Sequence, residues 1–359
     1  MSSSTAAGFG TGMSWEDRRD MGFGGLPGFR AAGILARAQR LVGPLLREAV
    51  ESVPDEIRVP IGYHFGWWDA DGVAALGETG KGLRPALVLA AAEAAGGEVP
   101  GAVHAAAAVE LVHNFTLIHD DIMDGAQVRR GRPTVWSLWG VDDAVLAGDV
   151  LHSLAIWTLA GAPVAALAGI ARLEDSVIEL CLGQQYDCAF ETTADVTVDE
   201  CLKALRHKGS ALMGCACALG ALCAEAPPDV VEELDHFGRE IGAAFQLMDD
   251  VMGIWGDPAR TGKPVGSDLL QHKRSLPIVA ALHSATPEGR EFAELYESNQ
   301  PLDGPAVAHA ADLIERAGGK GWAQAESVRH VRAAKSCLAE YDDAGDLLEL
   351  ADSVIHRDR

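Results

Sequence analysis

The sequence predicts an all-α protein, and three features carry that prediction. Alanine dominates the apolar segments, runs of β-branched residues are short, and no alternation of apolar and polar residues persists. The chain has 359 residues, of which 48% are hydrophobic, enough for one large helical domain or for two domains. We therefore expect helices almost throughout, arranged as a single bundle with an N-terminal tail.

Periodicity and turns containing Pro or Gly delimit the elements. Residues 1–30 combine three successive serines with scattered glycines and few aliphatic residues, so we expect a disordered tail there and a folded domain over 31–359. The aromatic segment Gly62–Trp68 is expected in a loop or short helix that caps the core. The main predicted helices cover residues 31–52, 83–97, 101–124, 141–160, 164–191, 197–224 and 229–254, and smaller helices follow.

Charge and cysteine usage exclude several classes of protein. The formal net charge is −23, from 29 basic and 52 acidic residues, which argues against a nucleic-acid partner. Seven cysteines without a CxxC motif predict reduced core residues and a cytoplasmic location. The uncharged stretch 154–171 just reaches membrane-spanning length, but Gly161–Pro163 interrupts it. We expect two buried helices that meet at a turn and no membrane span.

The most informative segment is His119–Asp124, which is followed closely by Arg129 and Arg130. A helix places Asp120 and Asp124 on one face, and three neighbouring carboxylates repel one another. Alone, such a turn is a solvated helix face about as often as a binding site. A hard cation such as Mg²⁺ would stabilise the carboxylates, and the arginines could bind phosphate oxygens. Together they suggest a site for a metal and a diphosphate.

A second acidic cluster strengthens this interpretation. Asp249 and Asp250 end the apolar run Ile241–Met248, and Lys263 and Lys273 follow. Two acidic clusters on two apolar helices, each followed by basic residues, are poorly explained by surface solvation.

Further polar residues lie at helix starts or inside apolar helices. Lys81 and Arg84 in the segment Gly80–Pro85 (GKGLRP) open a helix, where free backbone N–H groups also favour an anion. His113 lies two turns before Asp120, although a lone histidine on an apolar helix is more often a hydrogen-bonded core residue. Asp187 could equally be a structural acid.

These motifs resemble those of the polyprenyl synthetase family, the trans-isoprenyl diphosphate synthases, from about Leu35 to the C-terminus. Asp120–Asp124 is similar to the family's first aspartate-rich motif, and Asp249–Asp250 to the start of its second. The resemblance implies an all-α isoprenoid synthase type I helical bundle with a large central cavity. It also implies a homodimer and condensation of isopentenyl diphosphate with an allylic diphosphate.

Residue roles follow from the same resemblance. The homoallylic substrate, isopentenyl diphosphate, is expected to contact Lys81, Arg84, His113 and Arg130. The allylic diphosphate and its developing cation are expected to contact Arg129, Lys208, Gln246, Lys263 and Lys273. Asp120, Asp124 and Asp249 would bind Mg²⁺, three ions with substrate bound. The catalytic set implied is Asp120, Asp121, Asp124, Asp249, Asp250, Lys208 and Gln246. Either Arg357 or Arg359 matches the family's C-terminal basic residues.

This chain departs from the family pattern at three places. Gly253 stands where the second motif usually ends in aspartate. Gly209 replaces the usual threonine after Lys208, with Ser210 next to it. The first basic motif lacks one commonly seen arginine. The first two departures affect the allylic half of the site.

Product length is expected to depend on the residues that close the hydrocarbon tunnel. Phe115 lies five residues before Asp120, so it sits roughly 7–8 Å below the metal site along the helix, with Thr116 beside it. By family resemblance, a large residue here implies C15 or C20 products. We expect geranylgeranyl diphosphate, with farnesyl diphosphate as the alternative.

Two other functions remain open at this stage. A class I terpene cyclase also uses aspartate clusters, but the residues matched to isopentenyl diphosphate would serve no purpose in it. A non-catalytic subunit would be expected to lose the first aspartate motif, which is intact here. The glycine-rich tail and the segment Gly62–Gly72 also resemble polyprenyl transferases carried inside encapsulin shells, which suggests residues 1–30 as a cargo-loading segment.

Overall fold

The computed structural model describes residues 29–355, apart from 76, 78–79, 191–192, 194, 259–263 and 299–301. The N-terminal half contains α1 (Phe29–Glu51), α2 (Asp55–His64), α3 (Leu83–Ala94), α4 (Val99–Met123), α5 (Val135–Trp139), α6 (Val141–Ala160) and α7 (Ala166–Phe190). The C-terminal half contains α8 (Val198–Leu205), a π-helical turn (Arg206–Ser210), α9 (Ala211–Cys223), α10 (Pro228–Trp255), α11 (Ser267–Leu270), α12 (Leu276–Leu282), α13 (Pro287–Glu297), α14 (Gly304–Arg316), α15 (Gly319–Cys337) and α16 (Gly345–Ile355).

Small residues bring the long helices together. The most extensive contacts join α4 to α6, α10 to α9 and α15, and α3 to α9. A methyl group on Gly220 of α9 would lie 2.3 Å from the carbonyl oxygen of Val88 in α3. A methyl group on Gly238 of α10 would lie 2.3 Å from the carbonyl oxygen of Met213 in α9. These glycines therefore allow the backbones to approach more closely than side chains would permit.

The bounds of the main helices agree with the sequence prediction, except that one predicted helix is interrupted. The stretch predicted as a single helix over 197–224 is α8, the π-helical turn and α9. Helices α6 and α7 are separated at the turn after Ala160, as the interrupted apolar stretch predicts. The expectation that both helices are buried is wrong in part, because the apolar window of α6 is only 44% buried and Trp157 and Leu167 are exposed.

All seven cysteines lie among the described residues, and all are free thiols, as expected. The expected core position is wrong for Cys181 and Cys188, which are exposed, whereas Cys201, Cys215 and Cys217 are buried.

A short β-hairpin follows α4. Val128–Arg129 pairs antiparallel with Arg132–Pro133. The sequence does not predict this hairpin, because a two-residue strand is too short to show an alternating pattern of apolar and polar residues. The guanidinium of Arg132 donates to the carbonyl oxygens of Tyr63 and Trp68, both at 3.0 Å. The hairpin is thereby joined to the aromatic segment, whose Phe65 and Trp68 are buried against the core as predicted.

A second, smaller apolar cluster covers the C-terminal end of α10. It is formed by α11 to α14 and includes buried Ile254, Leu269, Phe292 and Leu313. Asp268 lies in α11, where its charge acts on Asp250 of the second acidic pair. Lys273 lies in the loop after α11 and contacts Asp124 of the first acidic cluster.

Two helices are long and apolar enough to cross a membrane by length and composition alone, Val99–Met123 and Val141–Ala160. The apolar window of the first is 61% buried inside the protein, which is typical of a core helix.

Candidate active site

The first acidic cluster lies at the C-terminal end of α4, and its three carboxylates have different surroundings. Asp121 is buried, and its two oxygens accept from Nε of Arg129, each at 2.9 Å. Nη2 of the same arginine lies 2.8 Å from Asp121 Oδ1. Asp121 therefore fixes the position of Arg129, whereas Asp120 and Asp124 are left for other contacts.

Two lysines distant in sequence approach the other two aspartates. Nζ of Lys208 donates to Asp187 at 2.8 Å and lies 3.9 Å from Asp120 Oδ2. Nζ of Lys273 donates to Asp124 at 3.2 Å. Burial alone would lower the pKa of Lys208, but the carboxylates of Asp120 and Asp187 outweigh burial and hold that pKa above its ordinary value. Both ammonium groups are therefore charged.

The π-helical turn explains how Lys208 reaches this position. A methyl group on Gly183 of α7 would lie 2.5 Å from the backbone nitrogen of Lys208. Gly209 lies against the side chain of Gln246, where an added methyl group would be 3.0 Å from Cβ. A π-helical turn is a frequent feature of functional sites because it re-aims a side chain. Here it directs Lys208 toward α4.

The second acidic pair also divides into two roles. Asp250 accepts from Nε2 of Gln246 at 2.8 Å and from the backbone N–H of Leu276 at 3.2 Å. Burial, together with the nearby charge of Asp268, raises the pKa of Asp250 to about 7. Since neutral donors hold both its oxygens, Asp250 is suited to orient Gln246, which leaves Asp249 as the candidate ligand for a cation.

The space beside Gly253 is filled by a different carboxylate. A methyl group on Gly253 would lie 2.4 Å from Oδ2 of Asp268 and 2.6 Å from its Oδ1. Asp268 is buried, and its charge acts on both Asp250 and Lys273. The structure therefore has a carboxylate at this place although the chain carries glycine in the motif.

Arginines and histidines form a separate cluster between α2, α3, α4 and the hairpin. Nη1 of Arg84 lies 3.1 Å from Nε2 of His113. Burial is the main reason that the pKa of His113 is well below its ordinary value, and the charges of Arg84 and Arg130 lower it further. The imidazole is therefore neutral and accepts from Arg84. Lys81 lies exposed just before α3.

Phe115 lies where the sequence predicts, one and a half turns before Asp120 on α4. It is almost fully buried, and its ring packs edge-on against His119 at 5.2 Å and at a tilt against His152 at 5.3 Å. The hydroxyl of Thr116 donates to the carbonyl oxygen of His113 at 2.7 Å. Thr116 is thus engaged with its own helix, and Phe115 is the bulkier of the two candidate tunnel residues.

Comparison with known proteins decides the family. The family model described as polyprenyl synthetase matches residues 72–314, a span that includes both acidic clusters. The chain belongs to the polyprenyl synthetase family. It is 46% identical to a geranylgeranyl diphosphate synthase of Mycobacterium tuberculosis, over 93% of this chain and 96% of that protein. It is 42% identical to a (2E,6E)-farnesyl diphosphate synthase of the same species, over 91% and 94%.

Solved structures of the family share the fold. A polyprenyl synthetase from Streptomyces coelicolor superimposes with a TM-score of 0.86 at 38% identity, over 90% of this chain and 99% of that one. A geranylgeranyl pyrophosphate synthase from Corynebacterium glutamicum, solved with isoprenyl diphosphate and magnesium, gives a TM-score of 0.77 at 26% identity, over 90% and 98%. The predicted fold, the all-α type I isoprenoid synthase bundle, is confirmed.

The donors of this site fit Mg²⁺ in chemistry. In the part of the chain that the structure describes, no three carboxylate, imidazole or thiol groups converge as a ready-made metal site. Mg²⁺ usually takes only one or two protein carboxylates and completes its shell with water and substrate phosphates. Asp120, Asp124 and Asp249 would hold it in that manner, which leaves a coordination role for the diphosphate itself.

Some predicted residues lie outside the described part of the chain, namely Lys263, Arg357, Arg359 and the tail over 1–28. Conversely, sequence reasoning missed several polar residues that the structure brings to the site. These are His64, Glu110, Asn114, Arg132 and Asp268. Only Glu110 carries a visible signal, a charge within the otherwise apolar run Ala105–Val112.

Two half-buried histidines of this site, His64 and His113, predict a pH dependence of stability. The pKa values of His64 and His113 lie well below 6.5, chiefly because of burial and then because of the neighbouring arginines. Below pH 6.5 the unfolded chain takes up these protons while the folded protein does not. The stability that these neutral histidines contribute should therefore be fully present above pH 6.5. As the pH decreases below 6.5, the free energy of unfolding should decrease by up to about 1.4 kcal/mol per pH unit for each histidine.

Urea titrations between pH 5.0 and 7.5 measure this slope. The variant His64→Gln should be less pH-dependent than the wild type over the acidic range. An unchanged slope would show that His64 is not the group responsible.

Proposed function

We propose that this protein condenses isopentenyl diphosphate with an allylic diphosphate to give a linear prenyl diphosphate of 15 to 20 carbons. One observation carries the proposal. The acidic residues Asp120 and Asp124 contact Lys208 and Lys273 on one side of the site, while Arg84, His113 and Arg130 form a separate basic cluster. Two diphosphates of different roles would use two such clusters.

The allylic side is suited to ionise its substrate. Breaking the bond between C1 and oxygen leaves negative charge on pyrophosphate and positive charge on carbon. Lys208, Lys273 and Arg129 are the cations available to the leaving group, and bound Mg²⁺ would add further electrostatic stabilisation. The amide oxygen of Gln246, whose Nε2 is held by Asp250, is available to face the allylic cation. No protein nucleophile is needed.

The homoallylic side is suited to position the second substrate. Arg84, Arg130 and Lys81 would bind the diphosphate of isopentenyl diphosphate, so that its double bond attacks C1 of the allylic cation. The new carbon–carbon bond moves the positive charge onto isopentenyl C3. Loss of a proton from C2 then forms the new double bond, and the released pyrophosphate can accept that proton.

The names of the relatives support the proposed reaction and are consistent with two product lengths, C15 and C20. The two M. tuberculosis relatives are named for C20 and C15 products, and the first is the more similar. Phe115 would close the tunnel at one of these lengths. We therefore propose geranylgeranyl diphosphate as the main product, with farnesyl diphosphate as the alternative.

The homodimer remains a proposal with structural support. Large apolar side chains are exposed on the two neighbouring helices α6 and α7. They are Val141, Val145, Leu146, Trp157, Leu167, Ile178 and Leu182. A second copy of the chain would cover this face, as the family resemblance implies. Light scattering on the purified protein tests it, and a monomer at micromolar concentration would oppose it.

The encapsulin association and the cytoplasmic location also remain proposals. The first rests on the sequence likeness of the tail and of the segment Gly62–Gly72. Deleting residues 1–30 should abolish co-purification with a shell and leave activity intact, and unchanged loading would oppose a cargo-loading role.

A two-substrate assay tests the proposed reaction. Release of pyrophosphate should require both isopentenyl diphosphate and an allylic primer, with Mg²⁺ present. Release from the allylic diphosphate alone, accompanied by a hydrocarbon product, would favour a terpene cyclase. No release with any primer would favour a non-catalytic subunit.

A further inference from the structure

Helix α4 contains one carboxylate inside its apolar stretch, and the proposed reaction does not use it. Glu110 is only 8% exposed, and its neighbours Val109 and Leu111 are fully buried. Burying a charged carboxylate is unfavourable unless cations or hydrogen-bond donors compensate it. The contacts of Glu110 therefore indicate what keeps it in the core.

Those contacts are with Asn114 and with the basic cluster that contains Arg84 and Arg130. Nδ2 of Asn114 donates to the backbone oxygen of Glu110 at 2.8 Å and to its Oε1 at 3.3 Å. Burial raises the pKa of Glu110, and the positive charge of Arg84 opposes that rise, followed by the Asn114 hydrogen bond and the charge of Arg130. Both arginines are thus close enough to act on the carboxylate.

Gly80 gives an independent measure of this proximity. A methyl group on Gly80 would lie 3.2 Å from Nη2 of Arg130 and 3.4 Å from Oε1 of Glu110. The guanidinium and the carboxylate therefore converge on the same glycine, at the start of the basic motif that also carries Lys81 and Arg84. A methyl group at position 80 would contact both groups at once.

We propose that Glu110, held by Asn114, is a positioning residue for the homoallylic diphosphate. It acts on the buried side of Arg84 and Arg130 and leaves their outer N–H groups directed at substrate. This inference rests on the proposed function, because it assumes that the two arginines bind isopentenyl diphosphate. Two guanidinium groups repel each other, and a carboxylate behind them offsets the repulsion and fixes both planes. His113 fixes Arg84 from a second direction.

The direction in which the affinity for isopentenyl diphosphate changes distinguishes two roles for Glu110. If Glu110 acted only by electrostatic repulsion of the substrate, removing its negative charge would strengthen binding of a diphosphate. If Glu110 positions the arginines, removing the charge should weaken binding because the charge-assisted hydrogen bonds lose their geometry. The two roles thus shift the same dissociation constant in opposite directions.

The test is the variant Glu110→Gln, which keeps the shape of the side chain. We expect the KM for isopentenyl diphosphate to rise about 10-fold or more, the equivalent of one charge-assisted hydrogen bond. The KM for the allylic primer and kcat at saturation should change less than about 2-fold. Calorimetric titration of isopentenyl diphosphate, without primer, should show the same weakening.

A matched control lies on the neighbouring helix α3. Glu93 pairs with Arg37 at 2.7 Å away from the site, and Glu93→Gln should leave both KM values unchanged. Asn114→Ser keeps the carboxylate and removes its amide donor, so it should raise the same KM by a smaller factor. Asn114→Ser carries the test if Glu110→Gln does not fold.

Three outcomes would overturn the inference. They are unchanged or tighter binding of isopentenyl diphosphate in Glu110→Gln, an equal rise of both KM values, and a rise reproduced by Glu93→Gln. If the wild-type protein binds isopentenyl diphosphate but does not elongate a primer, the proposed function fails, and the calorimetric comparison still tests Glu110.

Discussion

Replacing Asp120 by asparagine should reduce kcat by about 100- to 1,000-fold, as loss of one strong electrostatic contact to a developing charge typically does. Asp120 lies at the end of α4, 3.9 Å from the ammonium of Lys208, and it is a candidate ligand for Mg²⁺. Asparagine keeps the shape of the side chain and removes the charge that would hold a cation. Initial rates at saturating concentrations of both substrates and Mg²⁺ measure the effect.

Thermal unfolding of the variant distinguishes a loss of catalysis from a loss of folding. Burial, followed by the repulsion of nearby aspartates, makes the charged form of Asp120 unfavourable and raises its pKa, although Lys208 opposes this. Asp120→Asn should therefore unfold at the same temperature as the wild type or a higher one, since Lys208 keeps Asp187 as its partner at 2.8 Å. Asp343→Asn, at an exposed position in the turn between α15 and α16, should retain full activity. Near-normal kcat in Asp120→Asn would contradict the role of this aspartate.

Replacing Phe115 by alanine should lengthen the product by at least one C5 unit. The ring is almost fully buried one and a half turns from Asp120, and it packs between His119 and His152. Removing it opens space in line with the proposed tunnel, so that elongation continues before the chain meets a barrier. Chromatography of the dephosphorylated products, with mass detection, measures the distribution.

The size of the residue provides the control for this experiment. Phe115→Leu keeps most of the volume and should give a distribution between those of the wild type and Phe115→Ala. Loss of a buried phenyl ring costs about 3–5 kcal/mol of stability, so thermal melts must accompany the assay. A folded Phe115→Ala variant with the wild-type product would show that the tunnel ends elsewhere.

Features that depend on a single helix could be predicted from the sequence. Helical spacing alone places Asp120 and Asp124 on one face and Phe115 below them, and the structure agrees. The interruption after Ala160 likewise predicted two helices. These features depend only on the 3.6-residue period and on residues that end helices.

Features that depend on distant residues could not be predicted. Lys273 meets Asp124 across 149 positions of sequence, and nothing local to either residue specifies that contact. The hydrogen bonds that hold Asp250 come from the side chain of Gln246 and from the backbone of Leu276, 26 positions later in the sequence. The departure at Gly253 was read from sequence as a lost carboxylate, whereas the folded chain brings Asp268 there from 15 positions later.

The central claim is that two diphosphates react at this site and form a carbon–carbon bond. The most direct measurement is the chain length of products formed from isotopically labelled isopentenyl diphosphate with dimethylallyl, geranyl or farnesyl diphosphate and Mg²⁺. We expect labelled linear prenyl diphosphates that stop at 15 to 20 carbons. Consumption of an allylic diphosphate without incorporation of label would contradict it.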